Sequence, residues 1–297
     1  MRYRVKHVTR YGYGGPVSLC HSIAHLKPRV TAYQRCVSAS LRINPWPSVM
    51  REHEDFFGNR VNYFSVQQSH LQLEITASAE VDLSLPDWPT PAETYAWERA
   101  RTQLHSASSP EAFSARHFAL PSPAVPLDPL AVEYAQASFS TDRPLLEAAL
   151  DLVHRIYQDF DYDPTSTTVA TPICEVLELR RGVCQDFAHL AISALRGLGL
   201  AARYVSGYLE TLPPPGQPKL RGADASHAWL AIWVPVNPKD GIWVDLDPTN
   251  DRLANEQYIT AAIGRDYQDV TPVRGVFYGG GEHDLTVSVD VDRLGST

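Results

Sequence analysis

The sequence predicts an α+β fold, in which an N-terminal antiparallel β-sandwich-like domain precedes a core of helices packed on an antiparallel sheet. Three observations predict it: two-residue alternation within residues 1–85, helical periodicity from residue 143, and β-type runs after residue 200. A chain of 297 residues is long enough for two such units. Helices and strands grouped in this way are typical of α+β proteins.

The first predicted domain, residues 1–85, carries the strand patterns. In "LQLEITASAEVDLSL" apolar residues alternate with polar ones from Leu71 to Leu85, which indicates a half-buried strand. "VSASLRI" repeats this alternation, and Gly58 with Asn59 in "DFFGNRVNYFSV" predicts a hairpin turn. These signals favour an antiparallel sheet or sandwich.

Two segments flank the predicted core. Residues 86–142 include "LPDWPTPAETYAW" and "LPSPAVPLDP", whose prolines favour a connector with short helices that wraps over a domain surface. Residues 266–297 include the alternating run "LTVSVDV", which we expect to return to the N-terminal sheet.

The predicted core, residues 143–265, begins with three helices. "TDRPLLEAALDLVHRIYQDF" has one apolar stripe, "TPICEVLELRRG" predicts a shorter helix ended by Gly182, and "VCQDFAHLAISALRGLG" predicts a third ended by Gly199. Three β-type runs follow, "ARYVSGYLE", "HAWLAIWVP" and "GIWVDLDP", with a proline-rich loop at 212–219 between the first two.

Composition excludes several classes of function. A net charge of −8 without a basic run argues against a nucleic-acid footprint, and no apolar stretch approaches membrane-spanning length. The N-terminus lacks the apolar region of a secretory signal, and the four cysteines form no C-x-x-C pair. We therefore expect a cytoplasmic protein with no disulfides, no metal and no cofactor.

Cys184 is the candidate nucleophile. It stands at the start of the third predicted helix, where unpaired backbone N–H groups and the helix dipole favour an anion such as a thiolate. The same N–H groups can hold the oxyanion of a tetrahedral intermediate. Taken alone, the residue fits equally a small buried apolar side chain.

His227 and Asp247 are the candidate base and orienting carboxylate. His227 opens one apolar strand and Asp247 ends the next, so a hairpin near residues 237–241 brings them together. Such a carboxylate fixes the ring of a catalytic histidine. Alone, each has a plainer reading: a structural histidine, and an aspartate that caps a turn.

Three motifs in one order, "GVCQDFAHL", "SHAW" and "WVDLDPTN", resemble the transglutaminase-like superfamily of papain-like cysteine enzymes. The segments "HVTRYGY", "DFFGN", "ARYVSGY" and "GRDYQDVTPVRGVFYGGG" extend the resemblance to bacterial members with an N-terminal β domain. The resemblance implies a papain-like core with Cys184 as nucleophile, His227 as general base and acid, and Asp247 as orienting carboxylate.

The resemblance also implies a second oxyanion donor upstream of the cysteine. Tyr162 and Gln158 are the candidates, and Tyr162 fits equally a packing residue at a helix exit. Asp186 suits the dipole of the first helical turn, and His189 lies about 140° round the helix from Cys184, which favours a neighbouring or core role. Zinc bound to Cys, His and Asp would lack a fourth suitably spaced ligand.

We therefore expect a cysteine-dependent enzyme that hydrolyses a peptide or carboxamide through a thioester. Transfer of the acyl group to an amine uses the same triad, and a non-catalytic peptide-binding module is a third alternative. The expected partner is a peptide or protein substrate. The substrate's identity and the oligomeric state do not follow from the sequence.

Overall fold

The computed structural model describes residues 1–106, 109–211 and 226–295. The predicted loop at 212–219 lies outside these described residues. These residues form the strands β1 (Arg2–Ala24), β2 (Gln34–Asn44), β3 (Val49–Glu54), β4 (Arg60–Val66), β5 (His70–Leu83), β6 (Asp161–Tyr162), β7 (Arg181–Gly182), β8 (Ala202–Leu209), β9 (Ser226–Pro235), β10 (Gly241–Asp247), β11 (Arg252–Leu253), β12 (Tyr258–Gly264), β13 (Val273–Gly279) and β14 (His283–Leu294). The helices are α1 (Trp97–Ser106), α2 (Pro110–Arg116), α3 (Pro129–Gln136), α4 (Leu145–Asp159), α5 (Ile173–Leu179), α6 (Cys184–Gly197) and α7 (Tyr267–Val270), with 3-10 turns at Pro91–Glu93 and His117–Ala119.

The N-terminal sheet is antiparallel and curls around the long strand β1. The first half of β1 lies between β5 and β14, and its second half lies between β4 and β13. Strands β2 and β3 extend the two halves on β5 and β4. The two half-sheets give the sandwich-like arrangement that the alternating patterns predict, so the predicted fold class is confirmed.

The alternation in β5 is realised over most of its length. The inward apolar residues from Leu73 to Leu83 are buried, but Leu71 and Leu85 at the two ends are exposed. The predicted hairpin is confirmed: β3 and β4 pair in register, and Gly58 adopts φ +73° in the turn between them. Glycine adopts this left-handed conformation without the steric cost that a Cβ imposes.

The hairpin turn also connects the N-terminal sheet with the core sheet. The carboxylate of Asp55 accepts the backbone N–H groups of Phe57 and Asn59 at 2.9 and 2.8 Å. The Asn59 amide in turn donates to the Ile263 carbonyl at 2.7 Å and accepts the Ile263 N–H at 2.9 Å. Because these amide contacts are buried, they fix the N-terminal sheet against β12 of the core.

The core sheet has the strand order β11-β10-β9-β8-β12, and α6 packs on one face of it. The apolar stripe of α4 is buried in the same hydrophobic cluster. The short helices of segment 86–142 also contribute to that cluster, through Ala100, Ala131 and Ala135. The segment therefore packs into the core as well as covering its surface. No helix within the described ranges has both the length and the apolar character needed to cross a bilayer.

One helix end differs from the sequence prediction. Helix α5 ends at Leu179, and the left-handed Arg180 (φ 52°) terminates it two residues before Gly182. Gly182 instead pairs with Tyr162, in the parallel contact between β6 and β7. A Cβ at Gly182 would come within 2.7 Å of Asp186 Oδ2, so close packing at the start of α6 explains this glycine.

Candidate active site

The N-terminus of α6 holds Cys184 at the first helical position, where the side chain is partly buried. The preceding Val183 N–H donates to Asp186 Oδ2 at 2.8 Å, and the Thr167 hydroxyl donates to the same oxygen at 2.6 Å. Asp186 thus caps the helix with its own side chain, which fits the dipole role expected for it. These contacts fix the backbone on either side of the cysteine.

The first turn of α6 also leaves donors free. The N–H groups of Asp186 and Phe187 both donate to the Val183 carbonyl, at 2.9 and 3.1 Å. The N–H groups of Cys184 and Gln185 have no acceptor among the residues that the structure describes. An anion that forms next to Cys184 therefore meets unpaired donors and the positive end of the helix dipole.

The pairing of β9 with β10 places His227 beside Asp247. The final register pair of the two strands, Leu246 with Leu230, puts Asp247 opposite Trp229 and diagonal to His227 rather than directly across from it. The imidazole spans the diagonal, because its Nε2 lies 2.7 Å from Asp247 Oδ2. The structure thus brings together the two residues whose proximity the hairpin predicts.

Asp247 is fully buried and accepts several hydrogen bonds. Besides His227, the Tyr258 hydroxyl at 2.7 Å and the Asn250 amide at 2.6 Å donate to Oδ2, and the Thr249 N–H donates to Oδ1 at 2.8 Å. Burial alone would raise the pKa of this carboxyl, but the His227 charge and these donors outweigh it and lower the pKa. The carboxylate is therefore held in its ionised form.

His227 is the link between the carboxylate and the sulfur. Burial disfavours the charged ring, but Asp247 and the neighbouring Cys184 outweigh burial and raise the pKa of His227 to about 10. The contact with Asp247 occupies Nε2, so Nδ1 is the ring nitrogen that the carboxylate leaves free. Cys184 is among the groups that raise the pKa of His227, so its side chain lies near the ring. The arrangement favours a charged imidazolium ring at His227.

The two candidate oxyanion donors lie in different places. Tyr162 in β6 pairs with Gly182, two residues before Cys184, and its side chain is 56% exposed. Burial of the phenol raises the pKa of Tyr162, and the negative charges of Cys184 and Asp186 raise it further, so the phenol lies within electrostatic reach of the sulfur. Gln158 is exposed in the last turn of α4.

His189 lies in the core. Its Nε2 accepts the Tyr267 N–H at 3.1 Å, and its ring packs against Tyr204 with centroids 5.1 Å apart. Burial lowers the pKa of His189 to about 4, so the ring is neutral and acts as an acceptor. This matches a core histidine satisfied by hydrogen bonding.

Sequence reasoning missed the residues that surround Asp247. Asn250 is the fourth polar residue of the motif "WVDLDPTN", so its closeness to Asp247 in sequence is a signal that could have identified it. Tyr258 comes from β12 at the far edge of the sheet, and the sequence pattern gives no sign of its contact. Trp229 packs beside the His227 ring with centroids 6.0 Å apart and contacts Tyr258.

Two protein families match this chain. The bacterial transglutaminase-like N-terminal region matches residues 3–82, and the transglutaminase-like superfamily matches residues 132–248. The chain therefore belongs to the transglutaminase-like superfamily, as the three sequence motifs suggest.

The relatives extend the match over the whole chain. An uncharacterized protein of Mycobacterium tuberculosis is 44% identical over 294 residues, which cover 98% of this chain and 92% of the relative. An uncharacterized protein of Mycobacterium leprae is 31% identical over 296 residues, 99% of each chain. The crystal structure of a "putative cysteine protease" from Cytophaga hutchinsonii superposes with a TM-score of 0.77 at 22% identity, and covers 100% of this chain and 92% of that one. This last likeness supports the fold.

Proposed function

We propose that the protein is a cysteine-dependent amide-bond enzyme in which Cys184, His227 and Asp247 form the catalytic triad. The observation that carries the proposal is the position of the His227 ring. Its Nε2 lies 2.7 Å from a buried carboxylate, and Cys184, at a helix N-terminus, is near enough to help raise the pKa of the ring. Nucleophile, base and orienter in this order are the minimum that covalent acyl chemistry requires.

The first half of the reaction forms a thioester. The Cys184 thiolate attacks the carbonyl carbon of a peptide or carboxamide, and the carbonyl π electrons move to oxygen. The free N–H groups of Cys184 and Gln185 are the backbone candidates to hold this oxyanion, and Tyr162 is the side-chain candidate for a further donor. When the C–N bond breaks, the imidazolium of His227 gives its proton to the leaving nitrogen.

The second half resolves the thioester. Neutral His227 takes a proton from water, the hydroxide oxygen bonds to the acyl carbon, and the C–S bond breaks to restore the thiolate and the imidazolium. An amine in place of water gives transamidation by the same proton transfers. We favour hydrolysis, and the choice of acceptor depends on how far the site excludes water.

A defined peptide mixture, incubated with and without a primary amine, separates these outcomes by mass. Cleavage and deamidation report hydrolysis, and a mass increase equal to the amine minus ammonia reports transamidation. Every product should vanish in Cys184→Ala. The proposal fails if products persist in that variant, or if the folded protein gives none with any peptide.

The chain supplies its own control for nucleophile activation. Cys174 is an exposed cysteine near the start of α5, so each of the two cysteines lies at the N-terminus of a helix. A peptide-like thiol probe should label Cys184 faster than Cys174 at neutral pH, and His227→Ala should remove the difference. Equal rates in the wild type would favour the alternative of a non-catalytic peptide-binding module.

A further inference from the structure

A cavity of about 760 Å³ lies behind the core sheet, away from α6. The residues of β9 and β10 that face α6, such as Leu230 and Leu246, belong to the main core, whereas Trp233 and Trp243 point to the opposite side. The cavity walls come from separate parts of the chain: Tyr33, Leu85, Trp88, Arg203, Trp233, Ile242 and Trp243. Its volume and aromatic lining are in the range of small-molecule sites.

Arg203 is the basic group in this wall, and its Nε is buried without an acceptor. Its guanidinium lies over the Trp243 ring, 4.2 Å from the centroid. Its Nε is buried without a partner, and no hydrogen bond or ion pair to Arg203 occurs within the described ranges. A buried donor that is left unpaired costs free energy. The same side chain lines a second cavity of about 430 Å³, which shares Ser114 and Trp243 with the first.

The charges around the guanidinium restrict what can bind there. The buried Asp245 carboxylate acts on Arg203 but lies beyond ion-pair distance, and its Oδ2 already accepts the Tyr33 hydroxyl at 2.7 Å. Asp87 and Glu111 line the cavity too, but both are exposed, so solvent screens them. One negative charge at Arg203 is therefore favoured. Arg203 is the basic residue among those that line the cavity, so a second negative charge would be buried without a cationic partner.

We infer that this cavity is a binding site for a small organic monocarboxylate with an apolar body. The carboxylate would accept charge-assisted hydrogen bonds from Arg203, a geometry that guanidinium groups suit. The apolar body would lie against Trp88 and Trp233. The inference does not depend on chemistry at Cys184.

Binding can be measured by tryptophan fluorescence and calorimetry with three probes of one shape. Cyclohexanecarboxylate should bind saturably. Cyclohexylmethanol, which lacks the charge, and trans-1,4-cyclohexanedicarboxylate, which has a second charge, should each bind at least about tenfold more weakly, or about 1.4 kcal/mol. Equal binding of the alcohol would show an apolar cavity without a carboxylate site and would overturn the inference. Absence of saturable binding of the monocarboxylate would also overturn it.

Three variants assign the site. Arg203→Met keeps an unbranched side chain but should lose binding of the monocarboxylate at least about tenfold. Arg101→Met is the matched control, because Arg101 also lies over a tryptophan, Trp97, at 5.0 Å, and it should bind like the wild type. Ser114→Trp obstructs the shared wall from an exposed position and should also abolish binding, which keeps the test valid if Arg203→Met does not fold. Wild-type binding in either cavity variant would place the ligand elsewhere.

Discussion

Asp245 and Asp247 lie two residues apart on β10 and on the same face of the sheet, and both are buried. Asp247 accepts four hydrogen bonds, and its pKa is lowered. Asp245 accepts one, from Tyr33, and its Oδ1 is buried without a partner. Burial raises the pKa of Asp245 against the opposing effects of Arg203, Tyr33 and Trp229, whose indole N–H acts on the carboxylate without reaching hydrogen-bond geometry.

The difference between the two carboxylates shows that donors, more than burial, decide which charge the fold supports. A surplus of donors keeps Asp247 ionised, and an ionised Asp247 keeps the His227 ring charged and oriented. Asp245 belongs to a polar cluster that still has unpaired atoms, and the other charged member of that cluster, Arg203, borders a cavity. One aspartate therefore fits a reaction centre, and the other a binding site.

Replacement of Asp247, whose carboxylate accepts four hydrogen bonds, should have the largest effect on turnover. Asp247→Asn keeps the shape but removes the charge that fixes the His227 tautomer, so turnover of the peptide found in the cleavage screen should fall by on the order of 10³- to 10⁴-fold. Circular dichroism should show an intact fold. Turnover close to that of the wild type would remove Asp247 from the triad.

The same variant should also shift the pH dependence of the reaction. In the proposed mechanism the thiolate–imidazolium pair is lost when His227 deprotonates, and the folded-state pKa of His227 is raised to about 10. The wild type should therefore lose activity only as pH rises toward that value. In Asp247→Asn the alkaline limb of kcat/KM should move down toward about 6.5, the ordinary histidine value. An unchanged limb would mean that a different group sets it.

Removal of one hydrogen-bond donor tests whether stability and turnover depend on the number of donors around Asp247. Tyr258→Phe deletes the hydroxyl that lies 2.7 Å from Oδ2, and it should destabilise the fold by about 1.5–3 kcal/mol, as for hydrogen bonds to charged groups. Turnover should fall, and the alkaline limb should move the other way, to slightly higher pH, because the less satisfied carboxylate binds the imidazolium more strongly. Tyr208→Phe is the control: its buried hydroxyl contacts His7 at 3.3 Å and not the triad. Equal effects of both variants on turnover would assign Tyr258 to stability alone.

Much of the site's framework could be predicted from the sequence. Alternation and helical periodicity are local properties, so they predicted the strands around the site and placed Cys184 at a helix start. The predicted hairpin brought His227 and Asp247 together because the two strands are consecutive. The diagonal offset between them did not follow, since register depends on the turn and on packing.

The rest required the folded chain. Tyr258 reaches Asp247 from a strand that lies at the other edge of the sheet, and local pattern contains no information about that contact. The cavity at Arg203 is formed by segments separated by more than two hundred residues, from Thr31 to Trp243. Trp243 lies in an apolar run of the sequence, and only the assembled walls show that it borders a cavity.

The smallest effect should be on the pH dependence of stability, which substitution of Asp245 and substitution of Asp247 should change in opposite directions. The folded-state pKa of Asp247 is lowered from 3.8, so its stabilising contribution is present above 3.8 and is lost as pH falls through the folded value. The folded-state pKa of Asp245 is raised from 3.8, so its contribution is present below 3.8 and is lost as pH rises through the folded value. Urea unfolding at a series of acidic pH values should therefore show that Asp247→Asn loses most stability at the upper end of that pH range, and Asp245→Asn at the lower end.

Asp245→Asn should leave turnover nearly unchanged, because its amide oxygen still accepts the hydrogen bond from Tyr33. Slopes of the same sign in both variants would show that the two carboxylates are not held in opposite ways.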